Sequence, residues 1–188
     1  MKIKLKDVCT FRSGFQGKSS EGQVIKQIKL KDVTKDGEIL LDQLSEFSCG
    51  QSIDRYALYK NNILFKAKSS ENTAAFVPYD LEDTVATAHF LVITVKDEEK
   101  VDPMYLTMYL NSELAQGYFK KNSQGVTISM IRLKTLEEME IVLPPIEKQR
   151  EAVKAYHLMK DERELMEKLI QNREKQFKSY FQGLLEEA

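Results

Sequence analysis

The sequence predicts an α+β protein: an irregular, mainly antiparallel β-rich domain over residues 1–143, followed by one long C-terminal α-helix over 144–188 that forms a coiled coil. Three observations carry this expectation. Short runs rich in Val, Ile, Phe and Thr, separated by polar turns, fill the first 143 residues. Pro144-Pro145 closes them. Beyond the prolines, the 37 residues of 146–182 contain neither Gly nor Pro, and apolar side chains recur there three and four apart.

Strands are expected at 9–12, 24–30, 62–67, 74–77, 88–95 and 139–143. Turn signals separate them: Ser13-Gly14, Lys35-Asp36-Gly37 and Ser69-Ser70-Glu71-Asn72. One helix interrupts the strands, because Asp102 supplies a cap, Pro103 a first-turn proline, and Leu106, Leu110 and Leu114 recur at four-residue spacing. It should end near Lys121-Asn122. A shorter helix from Ser129 presents Ile131, Leu133 and Leu136.

Pro145 suits a first helical position, where a missing N–H costs nothing, and Glu147 in the first turn complements the helix dipole. Tyr156, Met159, Arg163, Met166, Ile170, Arg173, Phe177, Tyr180 and Leu184 then draw one stripe at an average period of 3.5, widened by Leu165, Leu169 and Phe181. A helix of this length spans roughly 55 Å at 1.5 Å per residue. A domain of about 140 residues is too small to cover that stripe, so part of it should meet another chain or another copy of itself. Arg163 and Arg173 interrupt the stripe and mark register, or pair with Glu162, Glu167 or Glu174.

Hydrophobic residues make up 42% of the 188 and charged residues 30%, a globular composition with no apolar run near the ~20 residues of a membrane span. No apolar signal core follows Met1, so a cytoplasmic location is expected. Cys9 and Cys49 have no CxxC spacing and read as buried thiols. The net charge of −1 argues against nucleic-acid binding on its own, but its distribution does not. Residues 1–35 carry nine Lys/Arg against three Asp/Glu, a balance of +6; residues 60–75 carry +2 and 118–134 carry +4. The acids lie elsewhere, with −4 over 36–59 and −5 over 80–102. Positive charge gathers on one face if the three basic stretches converge.

Catalytic signatures are weak. GxxxxGK[ST] and GxGxxG are absent. His89, in "ATAHFLVITV", and His157 lack companion ligands and read as satisfied structural histidines. Glu98-Xaa-Lys100 with Asp80 and Asp83 upstream loosely matches a metal-dependent nuclease, although Glu98 and Lys100 fall in a charged turn rather than a strand. No catalytic residue, metal or cofactor is assigned.

The order of "LKDVCTFRSG", "YALYKNNILFKAKSS", "YLTMYLNSELAQGYF", "SQGVTISMIRLKTLEEMEIVLPP" and "IEKQREAV" resembles the specificity (S) subunit of Type I restriction-modification enzymes, over nearly the whole chain. The resemblance implies one target-recognition domain and one spacer helix, half of the family's usual tandem. The initiating Met1 and the lack of a second proline-led helix argue for a natural half-unit. Such a unit would rebuild the two-domain shape as a homodimer through antiparallel helices and read two inverted half-sites of double-stranded DNA. The methyltransferase (modification) subunit, and through it the restriction subunit, would supply all chemistry. The segments matching the family's DNA-reading loops are "FRSGFQGKSS", "FKAKSSENT" and "KKNSQGVT". They nominate Arg12, Gln16, Lys18, Lys66, Lys68, Asn72, Lys120, Lys121, Asn122 and Gln124 for phosphates and base edges. Two other readings stay open: the nuclease, and a coiled-coil assembly protein without DNA affinity.

Overall fold

A computed structural model describes residues 2–123 and 130–186. The chain divides into two units, Met1–Gln149 and Arg150–Ala188, so the first turn after the prolines groups with the domain rather than with the tail.

The first unit is built around a four-stranded antiparallel sheet of β2 (Cys9–Ser13), β8 (Phe90–Val95), β5 (Ile63–Lys66) and β6 (Ala74–Phe76), in that spatial order. Beside it lies a three-stranded sheet, β4 (Ser45–Cys49), β3 (Gln23–Ile28) and β7 (Thr84–Ala86), in which β3 and β7 run parallel. A third pairing joins β1 (Lys2–Lys4) to β9 (Glu140–Val142), with Ile3 opposite Ile141. The N-terminus is thereby tied to the strand that immediately precedes the prolines.

The central strands are covered on both faces. Ile63 and Phe65 of β5, with Leu91 and Ile93 of β8, pack into a core shared with Leu5, Leu106, Leu110, Phe119 and Leu136. The alternate residues Leu64, Phe90 and Val92 face a second core containing Ile28, Val33, Leu58 and Val77. Period-two alternation decides each assignment. A third cluster of Phe15, Ile25, Cys49, Ile53 and Val85, flanked by Phe47 and Tyr56, seals the smaller sheet. Both cysteines are free and buried, and burial pushes the Cys9 thiol up to about 12.

The expected helix from Asp102 is two helices. Asp102 Oδ1 accepts the Met104 and Tyr105 N–H groups at 2.9 Å and starts α2 (Pro103–Asn111). Ser112 then adopts an extended conformation, ends α2, and caps α3 (Glu113–Asn122) by accepting from the Ala115 N–H. The break shifts the phase of the apolar face. Leu106 and Leu110 are fully buried, Leu114 is 65% exposed, and Ala115 and Phe119 take over the core contacts. Two further α-helices, α1 (Leu5–Val8) and α4 (Leu133–Glu137), flank β1 and β9 along the chain. Glu138, just past α4, accepts from Lys4 at 2.5 Å and from Lys6, and these two ammonium groups hold its carboxyl down to about 2.

The long helix, α5, runs over Ile146–Glu186 and passes through Gly183. Pro145 lies just before it, and its carbonyl accepts the Lys148 and Gln149 N–H groups. Gln149 is completely buried within the first unit. Its Nε2 donates to the carbonyls of Lys100 (3.0 Å) and Pro144 (2.9 Å), and its Oε1 accepts the Asp102 N–H at 2.9 Å. Among the described residues no helix is long and apolar enough to cross a membrane.

Candidate nucleic-acid interface

Strand direction determines which loops meet. In the central sheet β2 and β5 both run opposite to β8, and β6 runs opposite to β5. The C-terminal ends of β2 and β5 therefore share one end of the sheet with the N-terminal ends of β8 and β6. Residues 14–18 leave β2 there, residues 67–73 join β5 to β6 there, and the turn 87–89 enters β8 there.

Backbone hydrogen bonds fasten these segments together. The Gly14 N–H donates to the Phe90 carbonyl (3.0 Å) and the Phe15 N–H to the Ala86 carbonyl (2.7 Å). The His89 carbonyl accepts from both Ala67 and Lys68, at 3.0 and 3.2 Å. Gly14 is required by close approach, since a Cβ there would lie 2.1 Å from the Thr87 carbonyl oxygen. The third basic stretch joins through Ile131, whose N–H donates to the Ala67 carbonyl at 2.9 Å, beside a bridge pairing Lys68 with Met130. Helix α3 packs here too. Phe119 lies 4.9 Å from Phe65 between ring centroids, and Gln116 Nε2 donates to the Asn72 carbonyl at 2.9 Å. Lys120 and Lys121 occupy its last turn. All three basic stretches of the sequence thus supply backbone or side chains to one end of one sheet.

The nominated side chains separate into two groups. Gln16, Lys18, Lys68, Lys120, Lys121 and Asn122 are exposed, Asn122 also donating to the Tyr118 carbonyl. Lys66 and Asn72 are not surface groups: they are 5% and 6% exposed. Lys66 follows the alternation of Leu64 into the second core, where its ammonium donates to the Val33 carbonyl at 2.7 Å and burial lowers its pKa. Asn72 Nδ2 donates to the Lys66 carbonyl at 2.9 Å and closes the loop from within. Arg12 is half-buried, its Nη1 and Nη2 donating to the carbonyls of Tyr56 (3.2 Å) and Ala57 (2.6 Å). These three brace the loops that carry the exposed residues. Gln124 lies outside the described residues.

Two residues escaped the sequence reading. His89 was expected inside a strand as a satisfied structural histidine, but β8 begins at Phe90. Its ring is exposed, with Nδ1 3.4 Å from Thr87 Oγ1, and its backbone lies at the junction of the loops. Arg132 is exposed two residues beyond Met130. Only Thr87 and His89, polar on either side of Ala88 and ahead of the apolar run from Phe90, hinted that the strand starts late.

The carboxylates of the nuclease reading serve other partners. Asp80 accepts the Lys60 N–H (2.8 Å), Glu98 accepts from Asn61 (2.8 Å), Asp83 takes the Thr84 hydroxyl (2.9 Å), and Lys100 pairs with Asp97 at 2.8 Å. Among the described residues, no group of three or more His, Cys, Asp or Glu is placed to hold a metal ion.

In the second unit, Met159, Met166, Ile170, Phe177, Tyr180 and Leu184 are all at least 46% exposed, as are Leu158, Leu165, Leu169, Phe181 and Leu185. Tyr156 is half-buried, and Arg163 and Arg173 are exposed, with Arg173 reaching Gln176 rather than an acid. Phe177 and Phe181 stack at 6.2 Å. Such a continuous apolar stripe on one helix is characteristic of a surface that another helix covers.

Comparison with known proteins agrees with this architecture. The model of the Type I restriction modification DNA specificity domain matches residues 1–174. The EcoBI specificity subunit of Escherichia coli is 28% identical over 169 residues, 87% of this chain and 34% of that protein. Among solved structures, the HsdS subunit of Thermoanaerobacter tengcongensis superposes over 88% of this chain and 43% of its own, with a TM-score of 0.69 and 20% identity. The S subunit of M. genitalium gives 0.59 at 14% identity, over 86% of this chain and 39% of that one. The chain therefore spans between a third and a half of the length of each of these relatives.

Proposed function

Because this chain belongs to the Type I restriction modification DNA specificity family, we propose that it is the sequence-reading, non-catalytic component of a cytoplasmic restriction-modification complex. In this reading residues 1–143 recognise double-stranded DNA and residues 144–188 form the spacer and dimerisation helix. The observation that carries it is the set of exposed residues on segments fastened at one end of the central sheet: Gln16, Lys18, Lys68 and His89 on its loops, and Lys120 and Lys121 in the last turn of α3, which packs there. Lysines there neutralise phosphates, and the amide and imidazole groups contact base edges.

The exposed stripe from Met159 to Leu184 supports pairing with a second copy through antiparallel helices. A twofold dimer implies two inverted half-sites separated by base pairs that the protein does not touch. A methyltransferase subunit would dock on this assembly and recruit a restriction subunit, each bringing its own chemistry.

The test is duplex binding by the full chain across a range of salt. Neutralisation of four or five phosphates gives a slope of log affinity against log salt near −4, together with enrichment of a split, inverted motif from a randomised pool. A dimer with no DNA affinity at low salt would leave the assembly reading in its place. Metal-dependent cutting by the isolated chain would restore the nuclease.

A further inference from the structure

Arg55 lies in a stretch whose balance is −4, and nothing in the charge pattern singles it out. The fold does. It sits on the 3-10 turn Asp54–Tyr56, and its guanidinium carbon lies 4.8 Å from the Tyr56 ring centroid. Tyr56 meets Phe15 edge-on at 5.2 Å, and Phe15 meets Phe47 edge-on at 6.1 Å. Arg12 braces the same turn by donating to the Tyr56 and Ala57 carbonyls. The chain just after Phe15 is held equally closely: a Cβ on Gly17 would fall 2.3 Å from the Phe15 ring. Gln16 and Lys18 of the interface therefore adjoin the aromatic stack that carries Arg55.

The two arginines have different tasks. Arg12 is half-buried and its donors are taken by backbone carbonyls. Arg55 is exposed, and among the described residues no carboxylate pairs with it; the neighbouring Asp54 carboxylate takes the Ser52 hydroxyl at 2.8 Å. The guanidinium lies over the Tyr56 ring, a contact that restrains it and leaves its N–H groups to a ligand. A planar fork held in one orientation loses little rotamer freedom on binding and matches two acceptors lying side by side. In the major groove that pair is N7 and O6 of guanine. The lysines nearby are point charges on flexible stems and suit phosphates instead.

We infer that Arg55, held on Tyr56 beside the Gln16 loop, reads a guanine in each half-site of the DNA target. This rests on the DNA-recognition reading above and adds to it one base and the side chain that selects it.

The experiment is selection from a randomised duplex pool with the full chain, comparing wild type with Arg55→Lys and Arg55→Ala, and measuring the salt slope of each on the selected sequence. Unchanged melting temperatures establish that the variants fold, as expected for an exposed side chain. Wild type should enrich a motif with a guanine in each half. Arg55→Lys should lose the preference at that one position by about tenfold or more while keeping the other positions and the slope. Guanine selection that survives Arg55→Ala overturns the assignment. So does a loss of affinity uniform over all sequences with a slope smaller by about one, which marks a phosphate contact. If wild type enriches no motif, the DNA reading itself fails, and the base assignment fails with it.

Discussion

Replacing Gln149 by Met should destabilise the first unit by about 3 kcal/mol, although it changes little volume. The side chain has no exposed surface and meets three backbone groups: it donates to the Lys100 and Pro144 carbonyls and accepts from the Asp102 N–H, all at 2.9–3.0 Å. Methionine fills the space but supplies none of the three partners. Leaving a buried backbone group unpaired costs roughly 1–3 kcal/mol, so three such groups, partly relieved by local relaxation, come to about 3. For a domain of this size that is a fall in Tm of roughly 6–12 °C, at 2–4 °C per kcal/mol. Chemical denaturation of the full chain followed by circular dichroism measures it. A loss under about 1 kcal/mol would refute the reasoning, because it would mean that these groups find other partners or water when the amide is gone. Gln149→Glu sharpens the test. At neutral pH it puts a carboxylate against two carbonyl oxygens and should be worse than Met; as the pH falls the buried carboxyl takes up a proton, donates to one carbonyl, and stability relative to Met should recover.

Three further outcomes are expected. Lys68→Ala should weaken duplex binding and reduce the salt slope by about one, whereas Lys66→Met, which leaves the buried Val33 carbonyl without its ammonium donor, should leave the slope unchanged and lower stability by about 1–3 kcal/mol; identical DNA effects from the two in a binding titration would count against the assignment. Glu138 is held down to about 2 by Lys4 and Lys6, so its contribution is complete above the unfolded value of 4.5 and is lost as the pH falls toward 2; Glu138→Gln should flatten the acid limb of a stability–pH curve over that window, and an unaltered limb would show that the ion pairs contribute nothing there. Ile170→Glu on the exposed stripe should reduce the sedimentation mass from about 43 kDa to the 21.7 kDa of one chain, and a wild-type chain that is already monomeric at high concentration would remove the basis for self-pairing.

What could be read in advance follows from which signals are local. Strands β5 and β8 were legible because their runs are apolar on both faces, as strands covered from both sides must be. β1, β4 and β7 were not, since Lys2–Lys4, Ser45–Cys49 and Thr84–Ala86 are short or mixed, and they become strands only through partners distant in sequence. Ser112 shows the same limit on a smaller scale: a serine within a helical pattern is tolerable or terminating, and the core contact of Ala115 and Phe119 decides which. At the candidate interface, the charge blocks pointed to stretches that the fold brings to one end of the central sheet but could not assign depth to a single lysine, and Arg55 lay outside every basic block.

The contrast between Lys66 and Lys68 explains why depth could not be assigned. Lys66 ends β5 and Lys68 follows two residues on with the same charge, so simple alternation continued past the strand would put them on one face. The strand stops at Lys66, however, and the backbone then turns to let Ala67 and Lys68 both donate to His89. The ladder geometry ends between the two lysines, and with it the rule that would equate them. Lys66 stays in the second core, while Lys68 emerges on a loop whose inner side is held by Asn72. An architecture of this kind separates support from contact. Residues that fix the loops bond to backbone carbonyls and depend little on what the exposed side chains are, so the exposed positions can be exchanged without disturbing the cores beneath. It follows that exchanging Gln16 should alter DNA selection, and exchanging Lys18 or Lys68 DNA affinity, at little cost in stability, whereas exchanging Arg12 or Asn72 should lower stability first and DNA binding only as a consequence.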